Sequence, residues 1–386
     1  MTPMKRYALR AGAGLGALAV LAGGIFYFSG GYDRWSSGRL LTNACEGVLP
    51  VDGMRALLGD RNLESGEGTS EGSLDDAKTS LRVACDIKRG TGENTGKHTR
   101  SGSVTVSVNG VPTLDREALR YDSLYPMVQS SLPPVPLGRG WNGVFDAGSS
   151  REAKATTAVL LDCAPGRGDL LVTVSVDVRG YPGDTPLDNP ERRTAYARIA
   201  TDTAANASRR WNCDADLGEA LRTVPLPVDE DEYVAPADAE GTCAGIPARG
   251  KSVTRAWESE RSTALYEKCV LGGVEGRPTH EFAAHYGPYA EGARHHHIEP
   301  SRDRDPIASG ERSGLLPGGS LWTIADCPGG GGPAFFTARP HGDDDKRSEA
   351  EWAYARSALK VFAERSAAAH HCSAPAAPTG PEKGQP

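Results

Sequence analysis

No two cysteines stand at Cys-x-x-Cys spacing, so neither a thiolate zinc site nor a thioredoxin-like redox centre has a starting point. An excess of basic charge is missing too. The 43 lysines and arginines face 50 acids, and three of the basic residues, Lys5, Arg6 and Arg10, lie in the first 30 positions, where no acid occurs. Beyond residue 30 the chain is acidic by about ten charges, which excludes a nucleic-acid surface of the usual basic kind. The glycine run Gly329 to Gly332 leads into a strand pattern and lacks a Gly-Lys-Ser/Thr ending, so it is not a phosphate loop.

One long apolar run is present. Residues 11–32 hold Leu15, Leu18, Val20, Leu21, Ile25, Phe26 and Phe28 with no charged side chain. At 1.5 Å per residue this crosses the ~30 Å of bilayer hydrocarbon. The basic residues before it predict a cytoplasmic N-terminus and an extracytoplasmic remainder. The rival reading is a cleaved signal peptide; its small-x-small pattern, Ala17-Leu18-Ala19, falls mid-run. A lipoprotein fits less well, because Cys45 stands far beyond the run after Leu41-Thr42-Asn43-Ala44. Gly12 and Gly16 form one GxxxG, which either pairs helices or reflects the glycine-rich composition.

Eight cysteines in an exported chain read as disulfides, which leaves no cysteine nucleophile. Their order exposes a duplication. Cys45-Glu46-Gly47 and Cys243-Ala244-Gly245 each precede a short helical pattern and a second cysteine, Cys85 or Cys269. Each copy next has an apolar strand ending in Asp-Cys, at Cys163 and Cys327, then a Pro/Gly turn and another strand. A helix containing Ala-Tyr-Ala-Arg, at Ala195 and Ala353, then leads to the last cysteine, Cys213 or Cys372.

Period-2 patterns predict strands over residues 80–87, 103–111 and 170–178 in the first unit, and around Cys269, Trp322 and Phe335-Phe336 in the second. Helices are expected over 51–58, 114–127, 190–211 and 251–262, and over a final segment whose Trp352, Ala355, Leu359 and Phe362 share one face. The fold class is α+β: two tandem repeats, each an antiparallel sheet with packed helices and about two disulfides, after an N-terminal transmembrane helix.

A long strand followed by a helix of matching length returns Cys213 to Cys163. By the repeat, Cys327 pairs with Cys372, leaving Cys45 with Cys85 and Cys243 with Cys269. Five segments result: residues 1–31 as tip and anchor, 42–214 as the first repeat, 215–241 as an acidic Pro-rich linker, 242–373 as the second repeat, and 374–386 as a disordered tail. Each repeat is expected to fold on its own core. With its Cys-x-Gly starts and strand cysteines, the architecture resembles the DUF3558-like exported domains of high-GC Gram-positive bacteria. The resemblance implies an envelope location and carries no catalytic residue.

Histidines supply the candidate chemistry. His280, His285, His295, His296 and His297 cluster within twenty residues, and imidazoles can bind zinc or copper. As a helix, the HExxxH of His280 and His285 puts the two rings about 140° apart, which fails the zincin geometry. The bland alternative for His295 to His297 is an exposed loop. His370-His371 reads as a helix end interacting with its terminal carbonyls. Arg167-Gly168-Asp169 suggests adhesion, although turn chemistry explains its glycine. The reading is a membrane-anchored, extracytoplasmic, non-catalytic ectodomain with no cofactor, whose partner is an unknown envelope protein or ligand; the alternative is a metal-dependent envelope enzyme using the histidine cluster.

Overall fold

The structure, a computed structural model, describes residues 27, 29–74, 81–89, 101–111, 132–147, 154–164, 168–179, 187–225, 228–298, 310–316, 319–328, 332–342 and 347–380, with the side chains of 179 and 295–298 left aside. Most of the apolar run and the expected helix at 114–127 lie outside these residues. Among the described residues no helix is long and apolar enough to cross a membrane.

The chain is α+β with two antiparallel sheets and four disulfides. After helices α1 (Gly31–Asn43) and α2 (Val51–Leu58), the first sheet is built from β1 (Leu63–Ser65), β2 (Thr69–Glu71), β3 (Arg82–Arg89), β4 (Ser101–Val111), β5 (Val135–Gly138), β6 (Trp141–Ala147), β7 (Lys154–Leu161) and β8 (Asp169–Arg179). Helix α3 (Pro190–Arg210) closes this unit. The second sheet contains β9 (Arg255–Glu258), β10 (Tyr266–Gly272), β11 (Pro278–His285), β12 (Ser313–Leu315), β13 (Leu321–Ala325) and β14 (Ala334–Pro340), with α4 (Pro288–Ile298) after β11 and α5 (Glu349–Ala369) at the end.

Both long helices start where local chemistry satisfies their first amides. The Asn189 side chain accepts from the amides of Glu191 and Arg192 ahead of α3, with Pro190 fitting the first turn. Ser348 and Glu351 form a reciprocal capping box on α5.

The two sheets share part of their strand order. The first sheet runs β1-β3-β4-β8-β7-β6-β5, the second β12-β13-β14-β11-β10-β9. The run β3-β4-β8-β7 therefore matches β10-β11-β14-β13, with Cys85 on β3 where Cys269 lies on β10. The bonds are Cys45–Cys85, Cys163–Cys213, Cys243–Cys269 and Cys327–Cys372, and no cysteine is free. Both expected pairings within each repeat are met.

Alternation along the strands sorts side chains into layers. Val104, Val106 and Val108 of β4 and Leu170, Val172, Val174, Val176 and Val178 of β8 pack with Tyr196, Ile199, Ala200 and Ala204 of α3. Phe282, Ala284, Phe336 and Ala338 likewise pack against Trp352, Leu359 and Phe362 of α5. The opposite faces meet each other. Val144, Ala158, Leu160 and Leu171 of the first sheet share one buried cluster with Tyr266, Ala283, Trp322, Ile324 and Phe335 of the second and Tyr289 of α4. The layers thus run helix, sheet, sheet, helix.

Each repeat has the core expected of it, and this third cluster connects the two. The weld comes from the back faces of the strands rather than from the connecting segment. That segment is not a free linker either: Leu221 and Val224 are buried in the first core, Trp257 donates to the Glu230 carbonyl at 3.0 Å, and Val234 bridges Ala256. Residues 373–380 are not loose, since Ala376 exchanges bonds with Ile324 and Thr323, and the Thr379 hydroxyl lies 3.2 Å from Ser313. The expected helix at 251–262 is a turn and strand β9, because the edge of β10 takes up its backbone.

Phe335→Ala should cost about 3–5 kcal/mol. The full chain should still unfold in one calorimetric transition; two transitions, with only one shifted, would disprove the shared core. Replacing Cys163 and Cys213 together with alanine opens a 50-residue separation and should cost about 4 kcal/mol, read by urea denaturation.

Candidate functional site

A buried group of ionisable and hydroxyl side chains lies between the second sheet and α5. Glu267 on β10 points to the helix side because it alternates in phase with Cys269 and Leu271, both in that core. Ser366 and His370 come one helical turn apart at the end of α5. Ser366 Oγ donates to Glu267 Oε2 at 2.6 Å and lies 2.6 Å from the Tyr286 hydroxyl. The His370 ring stacks on Tyr286 at 3.4 Å, its Nε2 standing 3.9 Å from Glu267 Oε1. Arg261 Nη1 is also 3.9 Å from the carboxylate, while its Nη2 donates to the carbonyls of Gly241 and Thr242.

Serine, histidine and glutamate are the residue types of an acyl-transfer triad, but the wiring differs. In a triad the imidazole stands between hydroxyl and acid. Here Ser366 bonds the acid directly, receives Tyr286 on its other side and is fully buried. Burial raises the pKa of Glu267, with Ser366 and Arg261 opposing it. Burial likewise raises Tyr286 and lowers Arg261. These groups tie α5 to the sheet, with Glu267 and Ser366 buried between the two.

The histidine candidates separate. Residues 280–285 form part of β11, not a helix, and five residues of strand put His280 and His285 on opposite faces. His280 packs on Phe282 and Tyr354, His285 on Tyr266 and Phe335. His295, His296 and His297 belong to α4 rather than to an exposed loop; their side chains are outside the description. Among the described residues no three His, Cys, Asp or Glu side chains converge as a metal site. His370 does not cap carbonyls with its ring but buries it on Tyr286. In the Arg-Gly-Asp tripeptide, Asp169 accepts from the Cys163 amide at 3.0 Å, a turn role; Arg167 lies outside the described residues.

Two motifs passed over in the sequence gain meaning only from context. Gly68-Thr69-Ser70-Glu71-Gly72 has the spacing of a nucleophile elbow, yet it forms edge strand β2, where Ser70 bonds Glu46, instead of a strand-to-helix turn. Gly245-Ile246-Pro247-Ala248-Arg249-Gly250-Lys251-Ser252 has phosphate-loop spacing, but it leads into β9 and Ser252 donates to the Arg249 carbonyl. A phosphate loop needs a helix N-terminus at that point, and none follows.

Less noticeable in sequence is a recess of about 320 Å³ on α1, lined by Arg34, Trp35, Gly38, Arg39, Thr42, Asn43 and Arg55. Arg34 reaches Asp60 at 2.9 Å and Arg55 reaches the exposed Asp52 at 3.7 Å. Arg39 lies over the Trp35 ring at 5.1 Å, and no described carboxylate comes within ion-pair distance of it. The signal for it was the arginine spacing just past the apolar run.

No protein-family model, curated protein or solved structure matches the chain.

Burial holds the pKa of His280 and of His370 down to about 4. The unfolded chain takes up these protons near the ordinary value of about 6.5, so each histidine removes stability as pH falls from there toward 4. Between pH 6.5 and 4.5 each should cost roughly 2 kcal/mol. In urea titrations, His280→Phe and His370→Phe should each flatten that decline relative to the parent; parallel curves would refute the assignment.

Proposed function

We propose that this chain is an extracytoplasmic protein held in a membrane by residues 11–32, with a non-catalytic binding ectodomain at the cell envelope. The observation that carries the reading is an exposed aromatic ladder at the start of the described chain. Tyr27, Tyr32 and Trp35 are 64%, 48% and 51% exposed, with successive ring centroids 6.0 Å apart. Amphipathic rings next to an apolar span are what a membrane–water boundary selects. The four closed disulfides suit an oxidising compartment, and the Cys-x-Gly starts with a second cysteine on a strand resemble DUF3558-like exported domains.

Binding rather than catalysis is favoured by how the reactive side chains are spent. Glu267, Ser366 and His370 hold a helix to its sheet, and His280 and His285 face apart. The partner is an envelope protein or ligand; nucleic acid is disfavoured by the acidic balance.

Protease added to intact protoplasts should digest everything beyond the anchor, and alkaline carbonate should leave undigested protein in the membrane fraction. Full protection of the chain, or its release by carbonate, would sink the proposal.

A further inference from the structure

Helix α1 has two unlike faces. Leu41 is wholly buried in the first core, and the Ser37 hydroxyl accepts from the Leu63 amide at 3.3 Å, so one face is locked to the ectodomain. Tyr32, Trp35 and Arg39, at spacings of three and four, lie on the exposed side. The helix therefore has a fixed orientation, which the aromatic ladder continues back to Tyr27.

Two glycines shape the basic end. A Cβ on Gly38 would sit 2.6 Å from Arg55 Nη2, and one on Gly30 would sit 2.7 Å from Arg61 Nη1. Their missing side chains let guanidinium groups lie directly against the helix backbone. Asp60 is shared between Arg34 and Arg61, and Asp52 approaches Arg55 only at 3.7 Å, so carboxylates are fewer than guanidiniums here. Guanidinium forks match the oxygen geometry of a phosphodiester, and cations next to a bilayer favour anionic lipid.

We infer that the α1 recess, formed by Arg34, Arg39 and Arg55 beside Trp35, takes the headgroup of an anionic phospholipid in the leaflet from which the chain emerges. The inference rests on the membrane-anchor reading and deepens it. Trp35 settles at the boundary while Arg39 and Arg55 clasp the phosphate, so the ectodomain is held against the bilayer in one orientation instead of swinging on its tether.

The test uses the full chain in nanodiscs containing either brominated phosphatidylglycerol in plain phosphatidylcholine or the reverse, at equal bromine content. Quenching attributable to Trp35, taken as the difference from Trp35→Phe, should be at least twofold greater when the bromine is on phosphatidylglycerol. Arg39→Gln with Arg55→Gln should abolish that preference, and Gly38→Leu, which displaces Arg55, should weaken it. Arg39→Lys with Arg55→Lys should retain part of it, which guards against a merely misfolded variant. Equal quenching by both lipids, or a preference that survives in the Arg39→Gln, Arg55→Gln variant, overturns the headgroup site while leaving the anchor standing. Failure of the chain to enter nanodiscs at all overturns the anchor and the site together.

Discussion

The burial of two sheet faces against each other is the constraint on which the rest of the architecture depends. Each sheet already commits one face to a helix, α3 or α5, and the other face carries Leu160, Leu171, Trp322 and Phe335, which water would penalise. Stacking the sheets removes both apolar surfaces at once. It also dictates where polar groups lie. Tyr289 of α4 is driven into the shared layer beside Thr173 and Asp146 of the first sheet, and burial raises its pKa. The connecting segment follows from the same packing, since it must travel along the flank of a four-layer body and its Leu221 and Val224 find core sites there.

Within that frame the disulfides and the buried polar cluster do related work. Each closing helix is tied at its C-terminal end: Cys213 and Cys372 return α3 and α5 to the strand ends at Cys163 and Cys327. In the second unit the Glu267–Ser366–Tyr286 chain adds a polar tie a turn earlier in the same helix. A buried carboxylate is costly unless its partners satisfy it, which explains why Ser366, the Ser262 amide and Arg261 all converge on Glu267. The arrangement resembles catalytic machinery in composition while serving attachment.

The end of the structure around α1 is built differently. There α1 buries one side and leaves aromatic rings and guanidiniums on the other, with glycines where a side chain would crowd the arginines. Under the proposed anchoring, a helix fixed on one face to the first core would give the rest of the chain a set orientation relative to a bilayer.

By itself the sequence determined the features written in local period and spacing. The strand alternation at β4 and β8 and the helical face of Trp352, Ala355, Leu359 and Phe362 were legible because each depends on neighbours within one strand or helix, and the cysteine pairings were legible because the repeated order matches one pair to another. The tertiary structure alone decided what depends on distant partners. Residues 251–262 became a strand because β10 offered an open edge. His280 and His285 parted because β11 is a strand, and period two sends an odd separation to opposite faces. The Gly-x-Ser-x-Gly and phosphate-loop spacings lost their chemical meaning because the required helix does not follow either. The two repeats joined because the apolar residues that weld them are spread in ones, twos and threes over many short segments, a pattern that becomes one surface only when the strands are side by side.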